Sequence, residues 1–512
     1  MSPIPAVLPH VPLQSADDID LDISGVAGFF GGDVAVSAMA TVHIYRGRRW
    51  LGWYNTPGSY EIAKRYGQLA RSRFWDGLYP GINLDPEVLF KLDGTVGPRY
   101  RGVLSGTVMR KTGHIAHLFL EECKSLPPVK WRESERARKT SPNHVTITSL
   151  HYAPPPVLNP RKTSTSTLHK TGFLAVFGPI MGSVVTCIIS GLSGDIICCV
   201  MIAVGMLVSG MACFVIGSGV LTFNRPEPAR GSPPGCGVID DGNAVVVLLG
   251  EEAAVNAITR GHFSLKYNST RSYHRIGFCS MALTAQFLTQ LLIVPQGTLF
   301  GQIMFLTSLG VSWVYNSYLS SKDRESIQRE ILRNDVLQSP PMHKFTLETR
   351  TATTVFTLLV LAASNGYRSD TPVTSCSHPA ASSPIKGAVS PVRLPRVDME
   401  ALSSVMNDLL PNKTVDWLAF KDDILRKILF YFDEHARTGV YPPQFSFKPH
   451  RGEAEPRPPA PYVPDEKAEE LSFSLYKDAD VALAAFHEYE KWVVCFHYPR
   501  ARPDLYPYRV ID

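Results

Sequence analysis

One short stretch of the sequence carries side chains that could bind a metal ion. His114, His117 and Glu121 are spaced by three and four residues, so a helix would place all three on one face. Imidazole and carboxylate groups are ligands that zinc and similar divalent ions accept. The cluster stands alone, whereas membrane di-iron enzymes need several histidine clusters, and an ordinary helix surface gives the same spacing. These residues are therefore a weak metal candidate, and we expect no cofactor.

No other residues form a recognisable catalytic motif. The sequence has no GxSxG nucleophile elbow, no GxxxxGK[ST] phosphate-binding loop and no HExxH zinc motif. The tripeptide at residues 235–237 (GCG) resembles the start of a dinucleotide-binding fingerprint, but it does not follow a strand and open a helix. Because no nucleophile has a visible base and orienting group, the sequence favours a non-enzymatic role.

A second group of polar residues lies inside two long apolar segments. Gln286 and Gln290 are one helical turn apart, and so are Ser312 and Asn316. Polar groups surrounded by hydrocarbon need partners, so we expect these side chains to face other helices and form hydrogen bonds between them. The alternative is that they line a substrate pathway. The segments contain no charged residue apart from Asp195, which argues against an ion-coupled transporter.

The two apolar segments predict four membrane-spanning helices. Residues 171–224 contain Asp195 as their only charge, residues 276–321 contain none, and each segment is too long for a single span. Turn signatures lie near the middle of each, at residues 192–195 (LSGD) and 295–297 (PQG). We therefore expect two transmembrane hairpins. The alternative is a large buried helical core, but core helices rarely lack charge on every face over such lengths.

The charges beside these segments predict their orientation. Basic residues flank all four ends that are not hairpin tips: Arg161, Lys162, Lys170, Arg225, Arg230, Lys266, Arg271, Arg275, Lys322, Arg324, Arg329 and Arg333. Basic flanks remain on the cytoplasmic side of a membrane. We expect both tips to face outward and the N-terminus and the larger segments to be cytoplasmic, with the identity of the membrane left open.

Small residues indicate how the predicted spans pack. Gly178 and Gly182 form one GxxxG pair, and Gly297 and Gly301 form another. This spacing allows helix backbones to approach closely in lipid. We therefore expect both pairs at helix–helix contacts.

Composition adds weaker constraints. The net charge is +5, from 51 basic and 46 acidic residues, which gives no reason to expect a nucleic-acid partner. The nine cysteines show no CxxC spacing, so the sequence predicts neither a disulfide framework nor a zinc site, which fits a reducing compartment.

The rest of the chain predicts cytoplasmic α+β regions and a helical C-terminal tail. We expect four apolar runs to form one cytoplasmic sheet: 244–249, 262–267, 344–348 and 353–361. The alternative for the last run is a fifth membrane span at 351–367. A fifth span would place the glycosylation motif at Asn412 outside the cell or organelle. The predicted divisions are a disordered N-terminus (1–22), a small α+β cytoplasmic domain (23–123), a basic linker (124–170), hairpin one (171–224), a cytoplasmic α/β loop (225–275), hairpin two (276–321), a helix plus strands (322–365), a flexible linker (366–397) and a helical tail (398–512) with a proline-rich linker (441–464).

Two stretches resemble segments of other proteins. CFVIGSGVLTF (213–223) and QGTLFGQIMFLTSLGVSWVYNSYLSSKDRE (296–325) are similar to segments in multi-pass membrane proteins of filamentous fungi that have no assigned activity. The resemblance covers about residues 170–365. It implies a membrane location and transfers no catalytic residue.

Three functional hypotheses follow. The first is a multi-pass membrane protein with a non-enzymatic scaffolding role, which contacts the lipid bilayer and recruits protein partners through its cytoplasmic tails. The second is a small-solute transporter or channel that works as a homo-oligomer, because four helices form only a narrow pore. The third is a membrane enzyme with a metal at His114, His117 and Glu121.

Overall fold

The computed structural model describes residues 32–44, 50, 52–71, 73–81, 84–131, 143–160, 168–267, 269–366, 399–442, 445–447 and 466–497. Its contacts divide the chain into two units, each built from three separate stretches. Unit 1 comprises Met1–Gly94, Pro155–Arg225 and His262–Val336, and unit 2 comprises Thr95–Pro154, Pro226–Gly261 and Leu337–Asp512. The predicted disordered N-terminus (1–22), nearly all of the flexible linker (366–397) and most of the proline-rich linker (441–464) lie outside the described residues.

Helices and strands mix in both units, so the protein belongs to the α+β class. The helices are α1 (Gly32–Ile44), α2 (Ser59–Gly67), α3 (Arg73–Leu78), α4 (Pro86–Leu89), α5 (His114–Ser125), α6 (Leu168–Leu192), α7 (Ile196–Ile216), α8 (Glu252–Thr259), α9 (Thr270–Ile293), α10 (Leu299–Ser320), α11 (Arg324–Ile331), α12 (Arg350–Gly366), α13 (Met399–Leu409), α14 (Val415–Thr438) and α15 (Glu466–His497). The strands are β1 (Arg99–Gly102), β2 (Val108–Met109), β3 (Asn143–Leu150), β4 (Val157–Leu158), β5 (Val220–Asn224), β6 (Gly237–Asp240), β7 (Ala244–Gly250), β8 (His262–Lys266) and β9 (Met342–Leu347).

Unit 1 is organised around α6, α7, α9 and α10. The first two are joined by a tight turn after Leu192, and the last two by the 3₁₀ turn Val294–Gln296, so both turns lie where the sequence predicts hairpin tips. Helix α7 contacts the other three helices, and α6 also packs against α10. The second predicted span is too long by eight residues, because α7 ends at Ile216 and the chain continues as β5.

A three-stranded antiparallel sheet, in the order β4-β5-β8, joins the ends of these helices opposite the turns. Strand β5 follows α7, and β8 precedes α9. Residues 262–267 therefore do form a strand, but the prediction that they share a sheet with residues 244–249 is wrong. Pairing of β5 with β8 instead ties the second predicted span to the third.

Two helical stretches among the described residues are long and apolar enough to cross a bilayer, Ile196–Ile216 and Arg271–Gln296. The sequence predicts four such spans. In α6 only Phe177–Leu192 has described side chains, which is shorter than a span, and α10 contains several polar side chains that reduce its apolar content. Length and composition thus support two of the four predicted spans.

The predicted cytoplasmic domain at 23–123 is not a single unit, because the chain passes from unit 1 to unit 2 after Gly94. Its first part packs on the unit 1 helices: α1 lies against α10 and α2 lies against α9. Residues 33–51 look strand-like in sequence, but residues up to Ile44 form α1. The small side chains Ala35 and Ala38 are buried in that helix, one turn apart, and allow its close approach to α10.

Unit 2 contains a six-stranded mixed sheet in the order β2-β1-β6-β7-β3-β9. Strand β3 pairs in parallel with β7 and antiparallel with the edge strand β9, so it is an interior strand of the sheet. The sequence predicts a linker at 124–170 and misses this strand. The strand sequence (NHVTITSL) mixes polar and β-branched residues, so it lacks a clear apolar pattern, although both Thr146 and Thr148 are buried.

The prediction of a strand at 353–361 is wrong, because this stretch belongs to the helix α12. Every residue from Thr351 to Leu361 is buried, with the sheet on one side and α13, α14 and α15 also in contact. A helix that is apolar all round belongs in a core, and its threonines satisfy their hydroxyls internally: Thr353, Thr354 and Thr357 each donate to the carbonyl four residues earlier. The same enclosure by protein argues against the alternative of a fifth span at 351–367.

The C-terminal tail is helical as predicted, and its described helices belong to the core of unit 2. Leu402, Ile424 and Phe486, from α13, α14 and α15, are fully buried in the same cluster as Phe356 of α12. Lys421 is buried as well, and its ammonium group donates to the carbonyls of residues beyond the end of α13. Burial lowers the pKa of Lys421.

Replacing Leu359 with alanine should lower the free energy of unfolding of unit 2 by about 2–5 kcal/mol, because this fully buried side chain fills the core. Leu418→Ala is the matched control, since Leu418 of α14 is 49% exposed and its loss should change stability by less than about 0.5 kcal/mol. Pulse proteolysis of the full chain in urea measures both. An equal loss of unfolding free energy in Leu359→Ala and Leu418→Ala would contradict a core position for α12.

Candidate functional site

The four long helices of unit 1 expose apolar side chains along one stripe each. The exposed residues recur at intervals of three, four or seven, which is the spacing of one helix face. They are Phe177, Met181, Val185, Ile188 and Leu192 on α6, Ile196, Val200, Leu207 and Met211 on α7, Phe278, Met281, Leu288 and Leu292 on α9, and Val311, Val314 and Tyr318 on α10.

The opposite faces of these helices bury polar side chains. Each of the following is at most 7% exposed: Ser183, Thr186, Ser190, Ser209, Ser280, Gln286, Gln290, Gln302, Ser308, Ser312 and Asn316. The four helices therefore bury uncharged polar groups beside apolar ones and expose apolar stripes, which is unusual in a water-soluble domain.

A non-helical segment at residues 52–58 (GWYNTPG), here called the inserted segment, packs between the helices. Six of its seven residues are buried. The inserted segment contacts α7 at that helix's small residues. A Cβ atom on Gly210 would lie 2.2 Å from the ring of Trp53, and a Cβ atom on Gly52 would lie 2.3 Å from the Cβ of Cys213. Small residues on both sides allow this close approach of backbone to helix.

Asn55 of the inserted segment is the centre of a buried polar cluster. Its backbone N–H donates to Ser183 Oγ at 3.1 Å, and its Nδ2 donates to Ser308 Oγ at 2.8 Å. Asn55 Oδ1 and Gln290 Nε2 have no hydrogen-bond partner among the described residues. Both face Gly205, where an added Cβ would lie 2.2 Å from the first atom and 3.3 Å from the second.

The four polar residues predicted inside the spans are all buried, but they differ in their partners. Asn316 accepts from Tyr54 Oη at 3.1 Å and donates to Thr56 Oγ1 at 3.3 Å, so it binds the inserted segment rather than another helix. Ser312 donates to the Ser308 carbonyl of its own helix. Both side-chain atoms of Gln286 lack a partner within the described part of the chain. The geometry therefore brings Gln290 and Asn316 to the inserted segment and leaves Gln286 one turn away along α9.

Asp195 ties the two hairpin turns together. It is 3% exposed, and its Oδ1 caps α7 by accepting from Cys198 N at 3.0 Å. Its Oδ2 accepts from Thr298 N at 2.7 Å and from Thr298 Oγ1 at 2.8 Å. Thr298 in turn caps α10 by accepting from Gly301 N. One carboxylate thus satisfies orphan donors at the first turns of two helices.

The predicted glycine pairs occupy different environments. A Cβ atom on Gly301 would lie 1.9 Å from Asp195 Oδ2, and one on Gly297 would lie 2.6 Å from Cys198 Sγ, so both permit the contact between the turns. Gly297 lies in the turn rather than inside a helix. Gly182 packs against Val311 of α10, whereas a Cβ on Gly178 would meet nothing within 4 Å among the described atoms.

The weak metal candidate does not assemble in unit 2. Within the described residues, no three His, Cys, Asp or Glu side chains are placed to share a metal ion. The Nδ1 of His114 accepts from the N–H of Thr95, and Glu121 accepts from Lys124 at 2.9 Å. His114 is also buried, so the three residues do not present a common open face.

A groove of about 540 Å³ lies in unit 2 between the start of α12 and the helices α14 and α15. Trp417 lies among its lining residues, together with the acidic residues Glu348, Glu470 and Asp478. The guanidinium of Arg350 also lines it, but this group donates to Asp240 and to the carbonyls of Gly242 and Leu409. Three carboxylates and one guanidinium therefore stand among the described residues that line the groove.

Neutral amides and hydroxyls define what the polar cluster can do. These groups can bind water or a small uncharged solute, and they offer no charged acid, base or nucleophile. Sequence reasoning identifies Gln286 and Gln290 but misses Asn55, because residues 52–58 look like an ordinary turn. The small residues of α7, including Gly205 and Gly210, are the signal in the sequence that a backbone packs against this helix.

No protein-family model, no curated protein and no solved structure matches this chain. The resemblance to fungal membrane proteins therefore stays a prediction.

Replacing Gly205 with alanine should destabilise unit 1 by about 1–3 kcal/mol, because the new methyl group would overlap Asn55. Gly310→Ala is the matched control, since the position on α10 is open and alanine is the better helix former. The melting temperature of the purified protein in detergent should fall for the first variant and stay the same or rise for the second. Equal changes in melting temperature for the two variants would contradict the placement of the inserted segment against α7.

Proposed function

We propose that the chain is a multi-pass integral membrane protein whose unit 1 crosses the bilayer through α6, α7, α9 and α10. The observation that carries this proposal is the arrangement of apolar stripes outside and polar groups inside on all four helices. A bilayer favours apolar surface facing its chains and requires polar groups to find partners inside the protein. In water the same surface would be a large exposed apolar patch.

Helix length and the backbone of the inserted segment fit this environment. The four helices have between 21 and 25 residues, which at about 1.5 Å per residue spans a hydrocarbon core of roughly 30 Å. Non-helical backbone at membrane depth is tolerated where protein encloses it, and the inserted segment is enclosed.

The proposed topology places both turns outside and the strand-bearing ends of the helices on the cytoplasmic side. Support comes from the basic residues beside those ends, including Lys266 and Arg271. The N-terminus and the segments of unit 2 are cytoplasmic in this proposal.

One flank of unit 1 carries charge. Lys64 and Arg65 are exposed on α2, which packs along α9. Charged side chains of this kind reach toward headgroups or water. The proposal therefore assigns lipid contact to α6, α7 and α10, and to the part of α9 that α2 leaves uncovered.

Leu207→Arg tests lipid contact. Leu207 is near the middle of α7 and 60% exposed, so arginine there would be harmless in water but would cost about 2.5–3.5 kcal/mol in hydrocarbon. We expect loss of the membrane-inserted protein. Phe430→Arg, at a 62% exposed site on α14 of unit 2, should leave insertion unchanged. Normal accumulation and folding of Leu207→Arg would refute the proposal.

For the role of the protein, we propose a non-enzymatic scaffold that recruits a basic protein segment through the groove of unit 2. Support comes from the acidic lining and from Trp417, whose ring can bind a cation. Trp417 lies on α14, and Glu470 and Asp478 lie on α15, which are tail helices for which the sequence predicts partner binding.

A photo-crosslinking residue at Leu471, in the groove, should give a discrete adduct that Glu470→Lys abolishes, because charge reversal repels a basic segment. Phe473 is two residues further along α15, hence on the opposite face, and is 65% exposed; a crosslinker there should give none of this adduct. The readout is the cross-linked product in intact membranes. An adduct at Leu471 that persists in Glu470→Lys would contradict the proposal.

A second candidate function, passage of a small uncharged solute, is favoured by the side-chain amide of Gln286, which has no hydrogen-bond partner among the described residues. Gln286→Leu should leave stability unchanged or raise it by up to about 2 kcal/mol, because it removes buried polar atoms that these residues do not satisfy. It should also reduce solute flux into proteoliposomes if the amide binds the solute. Asn316→Leu, which removes two hydrogen bonds, should instead destabilise the protein. Flux that is unchanged in Gln286→Leu would dismiss this function.

A further inference from the structure

Two cysteines on neighbouring helices bring their thiols together near the first hairpin turn. The Sγ atoms of Cys187 on α6 and Cys199 on α7 are 3.6 Å apart. The Cys187 thiol also lies 3.4 Å from the carbonyl oxygen of Cys199. Both residues are half-buried rather than enclosed.

The hairpin geometry explains why this pair meets. Cys187 precedes Leu192 by five residues and Cys199 follows Asp195 by four, so the two positions are nearly symmetric about the turn. Gly191 makes room for the second thiol, because a Cβ there would lie 3.3 Å from Cys199 Sγ. The adjacent Cys198 differs, since it is fully buried beside Gly297 and faces the other hairpin.

We propose that Cys187 and Cys199 form a disulfide that closes the first hairpin on the oxidising side of the membrane. A disulfide needs the two sulfur atoms about 2.05 Å apart, which rotation of the two side chains can supply from the observed separation. Nothing in the cysteine spacing of the sequence indicates this pair, because the residues meet only once the turn is formed.

The chemistry is thiol–disulfide exchange with a low-molecular-weight or protein disulfide. The thiolate of one cysteine attacks a sulfur of that disulfide, which forms a mixed disulfide and releases one thiol. The second cysteine then attacks its partner's sulfur in the mixed disulfide, forms the Cys187–Cys199 bond and releases the second thiol. Two protein thiols are oxidised, and one external disulfide is reduced to two thiols.

Depth in the membrane is compatible with this reaction. Four or five residues of helix separate the thiols from the turn, which is about 6–8 Å. The polar interfacial layer on each side of the hydrocarbon has a similar thickness, roughly 5–7 Å. The oxidising location rests on the proposed topology, in which the turns face outward.

The first experiment uses the purified full chain in detergent, reduced and then treated with oxidised glutathione. Differential alkylation and peptide mass spectrometry should find the two cysteines linked, with the link lost in Cys187→Ser and in Cys199→Ser. Cys198→Ser, which changes the neighbouring thiol, should keep the link. Alkylatable thiols at both positions, or a stable glutathione adduct on either one, would overturn the proposal.

The second experiment separates the pair from the topology. Intact cells are treated with N-ethylmaleimide before lysis, so that any disulfide present in the cell is preserved. A Cys187–Cys199 link supports both the pair and the outward turns. Alkylated thiols in cells, together with linkage of the purified protein, would overturn the oxidising location and the proposed topology while leaving the close approach of the two thiols intact.

Discussion

The burial of uncharged polar side chains inside unit 1 is the constraint on which the rest of the structure depends. Amides and hydroxyls such as Asn55, Ser183 and Asn316 are enclosed, and apolar side chains form the outer stripes of the four long helices. This arrangement is stable where the surroundings are apolar and the interior supplies the hydrogen bonds. The hydroxyls of Ser183 and Ser308, which bind the inserted segment, and the carboxylate of Asp195, which binds the turns, supply them.

Glycine at a few positions makes these interior hydrogen bonds geometrically attainable. Gly205 and Gly210 let the inserted segment approach α7, and Gly301 lets α10 approach Asp195. In each case the nearest atom is polar or aromatic and belongs to another part of the chain. A larger side chain at these positions would push the inserted segment away from α7 and α10 away from Asp195, and so would separate groups that the observed packing brings together.

Sequence periodicity predicts the elements whose environment is uniform. The long charge-free runs give α6, α7, α9 and α10, with turns near Asp195 and Pro295, and the spacing of polar residues on α9 and α10 identifies their inward face. Environments created by tertiary packing are missed. Residues 353–361 have β-branched composition but form a core helix, because sheet and helices cover them on every side. Residues 143–150 form an interior strand that the sequence does not reveal, because the buried Thr146 and Thr148 interrupt its apolar pattern. Asn55 gains its role only when distant helices pack around it.

Alkaline carbonate extraction of membranes that contain the full-length chain tests the central claim most directly. Carbonate releases proteins held at the membrane surface and leaves chains embedded in lipid with the pelleted membranes. With the stripes of α6, α7, α9 and α10 in contact with lipid, the protein should stay in the pellet and enter solution only with detergent. Recovery of folded, full-length protein in the carbonate supernatant would contradict the account.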